Sequence, residues 1–219
     1  MPIFKEIKEF QKGPEKSGYV MYYVYRQVSP FLSALFIKLR FSPNFITLLS
    51  MLSDFLVVYL LYMQQWILAG ILVNLGITLD CCDGEMARYY RSKEKDPKEK
   101  HYGAYLDEVL GTIGFIAIIF FAGYFMGEMW IGLFAAFGLT MVLITSLTAD
   151  KEFPNKKEIA KNFEKDVFGD LKGRVGFPCA AQRLLVSAAV IFASPIILLI
   201  FGILCHLFYL LKFWLYRKF

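Results

Sequence analysis

Between Phe45 and Met63 the chain is almost wholly apolar, with no proline, glycine or basic residue, and five more apolar stretches follow. A run of this length matches what a helix needs to cross a hydrocarbon layer about 30 Å thick. Lipid offers no partner to an open backbone, so such runs are helical when they contain no strand alternation. Apolar residues make up 57% of the 219 positions and aromatics 17%, which excludes an ordinary soluble domain. The expected fold is all-α: one polytopic membrane domain over residues 1–219. It has six transmembrane helices at 44–64, 66–90, 103–123, 129–149, 177–194 and 195–216, and an N-terminal amphipathic interfacial helix at 18–40.

Local punctuation places these boundaries. Ser42, Pro43 and Asn44 break the chain and open the first span, Gln64 and Gln65 turn it, and Trp66 begins the second. Residues 123–128 and Ala193-Ser194-Pro195 supply the other outer turns. Before the first span, Val20, Val24, Val28, Phe31 and Leu35 recur at helical spacing among Tyr22, Tyr23, Tyr25, Arg26 and Lys38. This is a helix that lies in the interface or packs on the protein's own helices. The first fourteen residues alternate charge with apolar residues and contain no signal-type core, so the N-terminus is expected to stay cytosolic. Residues 155–167 read as a short capped surface helix.

All 24 lysines and arginines fall on one side of this layout, in the two termini and in the segments after spans two and four. The positive-inside rule makes that side cytosolic for a multi-pass protein. The net charge of +5 then serves topology and attraction to anionic headgroups, and gives no case for nucleic acid. Cys81, Cys82, Cys179 and Cys205 lack paired C-x-x-C spacing, so neither zinc nor a disulfide framework is expected.

Charge inside the apolar runs carries the functional signal. Asp80 and Asp83 are i and i+3 on a helix, with Gly84 and Ala87 beside them, so two carboxylates share a face with little side-chain bulk. Trp66 to Leu79 cover about 21 Å at helical rise, which puts Asp80 just inside the cytosolic edge of the hydrocarbon. On the next span Gly103, Asp107 and Gly111 form a second stripe, with Asp107 at a similar depth. Oxygen ligands without His or Cys favour magnesium, manganese or calcium over zinc.

Asp80-x-x-Asp83-Gly84-x-x-Ala87-Arg88, followed by Gly103-x-x-x-Asp107, resembles the signature of the CDP-alcohol phosphotransferases. The first half matches at every fixed position. In the second, fourteen residues separate Arg88 from Gly103, where the family has about eight, and Gly111 stands where the family has a fourth aspartate. Ser42-Pro43-Asn44-x-x-Thr47 also resembles the segment that opens the family's first helix.

The resemblance implies transfer of a phosphoryl-alcohol group, such as phosphatidyl, from a CDP-alcohol to a hydroxyl acceptor with release of CMP. It would occur at the cytosolic membrane face in phospholipid or related biosynthesis. Mg2+ or Mn2+ would be held by Asp80, Asp83 and Asp107, and the nucleotide would be bound by Asn44, Thr47, Asp80, Asp83, Gly84, Ala87, Arg88 and Gly103. With Gly111 unable to take the acceptor's proton, Asp107, Glu108 and His101 are the catalytic candidates. Arg174 and Arg183 could meet an anionic acceptor or serve only as positive-inside charges. Membrane lipid and a second copy of the chain are the implied partners. Two rival readings remain: a non-catalytic CDP-alcohol-binding or scaffolding member, which Gly111 supports, and an ion-coupled transporter using Asp54 and the acidic cluster. Asp54 reads equally as functional or as a structural hydrogen-bond partner, and His206 as a packed imidazole.

Overall fold

A computed structural model of the chain describes residues 2–9, 11, 20–93, 101–152 and 179–217; the side chains of 2, 101–108, 110, 146–152, 212 and 215–217 fall outside that description. Arg174 and the segment 155–167 lie outside the described residues. Among the described residues there are eight α-helices and no strand. In chain order they are α1 (Pro2–Glu9), α2 (Arg26–Lys38), α3 (Pro43–Tyr62), α4 (Trp66–Lys93), α5 (His101–Phe125), α6 (Met129–Glu152), α7 (Cys179–Ile191) and α8 (Pro195–Arg217). A π-helical turn, Met21–Tyr25, leads into α2.

Helix starts follow local chemistry. Ser42 caps α3 by accepting from the Phe45 N–H at 3.2 Å, and Pro43 fills the first turn, where its missing N–H costs nothing. The turn after α5 uses Gly127 at φ 81°, and the turn after α7 uses Ala193 at φ 43°, so α7 ends at Ile191 instead of reaching 194.

α3 packs on α4 and α5, α4 on α7, and α6 on α5 and α8. The shared core contains Val57, Val73, Ile118, Leu139, Val186 and Phe201. Where α5 and α6 meet, a Cβ on Gly123 would fall 2.4 Å from Gly132 Cα, so the two backbones touch. Small residues at such a crossing let helices gain van der Waals contact that lipid cannot replace. The outer faces remain apolar: on α3 Leu52, Phe55 and Tyr59 are all more than half exposed, a surface that suits lipid and not water.

Two described helices, α3 and α4, are long and apolar enough to cross a membrane. This is fewer than the six spans expected. The apolar stretches described on α5 to α8, Gly111–Phe125, Met129–Thr145, Cys179–Ile191 and Pro195–Leu211, are each shorter than a full crossing. α2 and the turn before it are two-sided: Val24, Val28, Phe31 and Leu35 are exposed along one side, while Ser29, Ser33, Ala34 and Ile37 are buried along the other, so the helix packs on the protein's own helices.

Candidate active site

The acidic stripe lies on the half of α4 that follows Leu79. Asp83 is buried, and its Oδ2 accepts from the Thr47 hydroxyl at 2.7 Å, so the first turns of α3 buttress the carboxylate. Asp80, Gly84 and Ala87 are half-buried on the same face. A Cβ on Gly84 would sit 3.4 Å from Arg88 Nη1, so the bare glycine lets the Arg88 side chain lie back along its own helix. Asn44, one turn before Thr47, is exposed. Thus Thr47, Asp80, Asp83, Gly84, Ala87 and Arg88 come together.

The second stripe is described only in part. His101, Gly103, Asp107 and Glu108 belong to the first two turns of α5, and their side chains fall outside the description. Gly111 is described, and a Cβ placed on it meets no atom of the described residues within 4 Å. Among the described residues no three His, Cys, Asp or Glu side chains converge as a metal site.

One turn deeper lies a buried ion pair. Arg183 Nη1 of α7 donates to Asp54 Oδ1 of α3 at 3.3 Å, with the two side chains 6% and 3% exposed. Phe115 covers the guanidinium, its ring centroid 4.8 Å from Arg183 Cζ. Glycines make room on both sides: a Cβ on Gly76 would come 3.3 Å from Asp54 Oδ1, and one on Gly114 only 2.5 Å from Oδ2. Gly76 is one helical turn below Asp80, about 6 Å, and Gly114 is about one turn below Gly111. The pair therefore lies about one turn below Asp80 on α4 and Gly111 on α5. Arg183, read as a contact for an anionic acceptor or as a positive-inside charge, is engaged by this carboxylate and ring, and Asp54 is its counter-ion.

His206 packs as an imidazole: its Nδ1 lies 2.8 Å from the Gly202 carbonyl, which can only accept, and Phe134 stacks on the ring at 4.2 Å and 5°.

Two polar networks escaped the sequence reading. Asn74, inside α4, accepts from the Tyr25 hydroxyl at 2.6 Å and donates to Ser187 Oγ at 2.6 Å and the Gly70 carbonyl at 3.0 Å. It ties the turn before α2, α4 and α7 together, and burial pushes the Tyr25 phenol up to about 12, so it remains a donor. The second network is centred on Glu85, a non-fixed position inside the signature. Its carboxylate, 1% exposed, accepts from Ser29 Oγ and Ser33 Oγ at 2.7 Å each and from Gln11 Nε2 at 2.8 Å.

The signature residues are thus gathered on one face of α4, and residues 40–216 match the family model for CDP-alcohol phosphatidyltransferases. The chain belongs to that family. Over 83 residues it is 33% identical to the archaetidylinositol phosphate synthase of Pyrococcus horikoshii, a match that covers 38% of this chain and 41% of that protein. Members of the CDP-alcohol phosphatidyltransferase family are membrane-bound and generally depend on a divalent metal. On the described face of α4, Asp80 and Asp83 offer two hard oxygen donors to such an ion, one short of a set of three.

Proposed function

We propose that the protein transfers the phosphoryl-alcohol unit of a CDP-alcohol to a hydroxyl acceptor and releases CMP, at the cytosolic face of a membrane that it crosses six times. The observation that carries this reading is the signature itself, with Asp83 buttressed by Thr47 and Arg88 laid over Gly84 on the same helix.

The acceptor oxygen attacks the phosphorus that bears the alcohol. The bond from that phosphorus to the bridging oxygen of CMP breaks, CMP leaves with the electron pair, and the acceptor hydroxyl gives up its proton. Asp80 and Asp83, with Asp107 from α5, would hold Mg2+ or Mn2+, which supplies charge neutralisation for the diphosphate and the leaving CMP. Gly84 and Ala87 let the nucleotide approach the helix, Asn44 and Gly103 border it, and Arg88 places a positive charge beside the phosphates. Asp107, Glu108 and His101 are the candidates to take the proton. An aspartate at position 111 has open space among the described residues, so Gly111→Asp should raise the transfer rate where proton removal is limiting; general-base help is worth about 10²- to 10⁴-fold.

The relative's name describes a synthase of archaetidylinositol phosphate, which supports a lipid donor. Both termini and the active site are assigned to the cytosol, supported by the placement of all 24 basic residues. The test is an acceptor survey. Purified protein with CDP-diacylglycerol or its archaeal ether counterpart and Mg2+ is given polyols and their phosphate esters in turn, and the lipids are read by mass spectrometry. A new phospholipid formed mole for mole with CMP is expected; donor and acceptor pairs that all return unchanged would refute the proposal.

A further inference from the structure

The family match begins at residue 40, which leaves α1, Gln11 and α2 outside it. That segment nevertheless grips the signature helix, through three hydrogen bonds to one buried carboxylate. Glu85 lies about 140° around the α4 axis from Asp80 and about 160° from Asp83, on the side facing away from the acidic stripe. Ser29 and Ser33 approach its two carboxylate oxygens from successive turns of α2.

Gln11 reaches it for a reason visible in the chain. Pro30 sits four residues after Arg26 and has no N–H to offer, so the Arg26 carbonyl lacks its helical partner. One amide hydrogen of Gln11 goes to that carbonyl at 3.0 Å and the other to Glu85 Oε1 at 2.8 Å. Ile7 of α1 is fully buried in a cluster with Ala34, Ile37, Ile46, Cys82 and Met86, and Glu6 meets Lys93 at 2.7 Å. The last pair is exposed and adds little.

α4 is therefore fixed from two opposite sides, by Thr47 on Asp83 and by the N-terminal clamp on Glu85. Two anchors of this kind set the rotation of a helix about its own axis, which one cannot do. We propose that Glu85 is a positioning residue through which α1, Gln11 and α2 aim the carboxylates of Asp80 and Asp83, making this clamp part of the CDP-alcohol site. The inference rests on the function proposed above.

The test is a Mg2+ titration of the thermal stabilisation that CDP-diacylglycerol gives the detergent-solubilised full chain. Loss of a supporting partner of a metal-binding carboxylate lowers metal affinity by about 10- to 100-fold. Glu85→Ala and the pair Ser29→Ala with Ser33→Ala should each raise the half-saturating Mg2+ severalfold, less than loss of a directly bonded partner would, because Glu85 acts on the aspartates only through the rotation of α4. Glu85→Gln should stay close to the natural protein, because its amide keeps an acceptor oxygen and the serine hydroxyls can rotate to accept from its nitrogen. If Glu85→Ala does not fold, Ser33→Ala alone, which removes only the contact to Oε2, should give a smaller shift in the same direction. A clamp that merely holds the fold together would lower the melting temperature of every variant and leave half-saturation unmoved, which overturns the inference. A natural protein that CDP-diacylglycerol and Mg2+ do not stabilise overturns the proposed function with it; a responsive natural protein with unshifted variants overturns the inference alone.

Discussion

Asp54→Asn removes the counter-ion of Arg183 while keeping the shape of the side chain. The guanidinium then stays where it is, 6% exposed, against the Phe115 ring and between helices that leave it no path to water. Removing one partner of a buried ion pair costs about 3–5 kcal/mol, because the remaining charge is left without compensation. Here the lower part of that range is expected. The pair is spaced at 3.3 Å, and Arg183 Nε and Asp54 Oδ2 have no hydrogen-bond partner among the described residues, so its own contribution is below that of a fully bonded pair. A loss of about 3 kcal/mol is a large share of a stability of about 5–15 kcal/mol. The assay is reversible SDS unfolding in mixed micelles, followed by the fluorescence of Trp66, Trp130 and Trp214. Asp54→Asn combined with Arg183→Gln should recover most of the loss and cost about 1 kcal/mol; with about 3 kcal/mol for each single change, the coupling is about 5 kcal/mol. A single variant costing under about 1 kcal/mol, or a double variant that is additive, would mean that water reaches the pair.

Gly114→Ala should destabilise by about 1–3 kcal/mol, since its Cβ would fall 2.5 Å from Asp54 Oδ2. Gly111→Ala, three residues away with no atom of the described residues within 4 Å, should be neutral or stabilising by up to about 1 kcal/mol; equal losses in the same SDS titration would refute the packing on which this rests. Thr47→Val keeps the shape and removes the donor to Asp83, so the Mg2+ needed for CDP-alcohol stabilisation should rise severalfold; an unchanged titration would show the 2.7 Å contact to be without consequence for the site. Cysteines introduced at Lys95 and Lys157 should react with a membrane-impermeant maleimide only from the cytosolic side, and one at Gly127 only from the other; labelling of positions 95 and 127 from the same side would contradict the six-span topology.

What could be read from the sequence was local chemistry. Pro43 with Ser42, and Pro195 after Ala193-Ser194, announce helix starts because a proline ring and a capping hydroxyl act within one turn. Asp80, Asp83, Gly84 and Ala87 share a face by helical spacing alone, and α4 carries them so. Thr47 was picked out only by its resemblance to a family segment; its contact with Asp83 across 36 residues needs the crossing of α3 and α4. Glu85 was passed over because its three donors lie 52 to 74 residues away, though Ser29 and Ser33, one turn apart on the polar side of an apolar helix, were a faint signal. Pro30 was another, since it announces an orphaned carbonyl. α1 was read only as charge alternating with apolar residues, yet Ile7 on one side of a short helix anchors it. Asp54 could not be assigned between function and structure until α7 brought Arg183 to it from 129 residues away.

The central claim is that the acidic stripe of α4 binds a CDP-alcohol through a divalent ion and supports its cleavage to CMP. CMP release from CDP-diacylglycerol in the presence of acceptor, measured against Mg2+ for the natural protein and for Asp83→Ala, tests it most directly. Release is expected to require Mg2+ and to fall steeply when the carboxylate is removed. Release that proceeds with the ion chelated, or at an equal rate without Asp83, would contradict it.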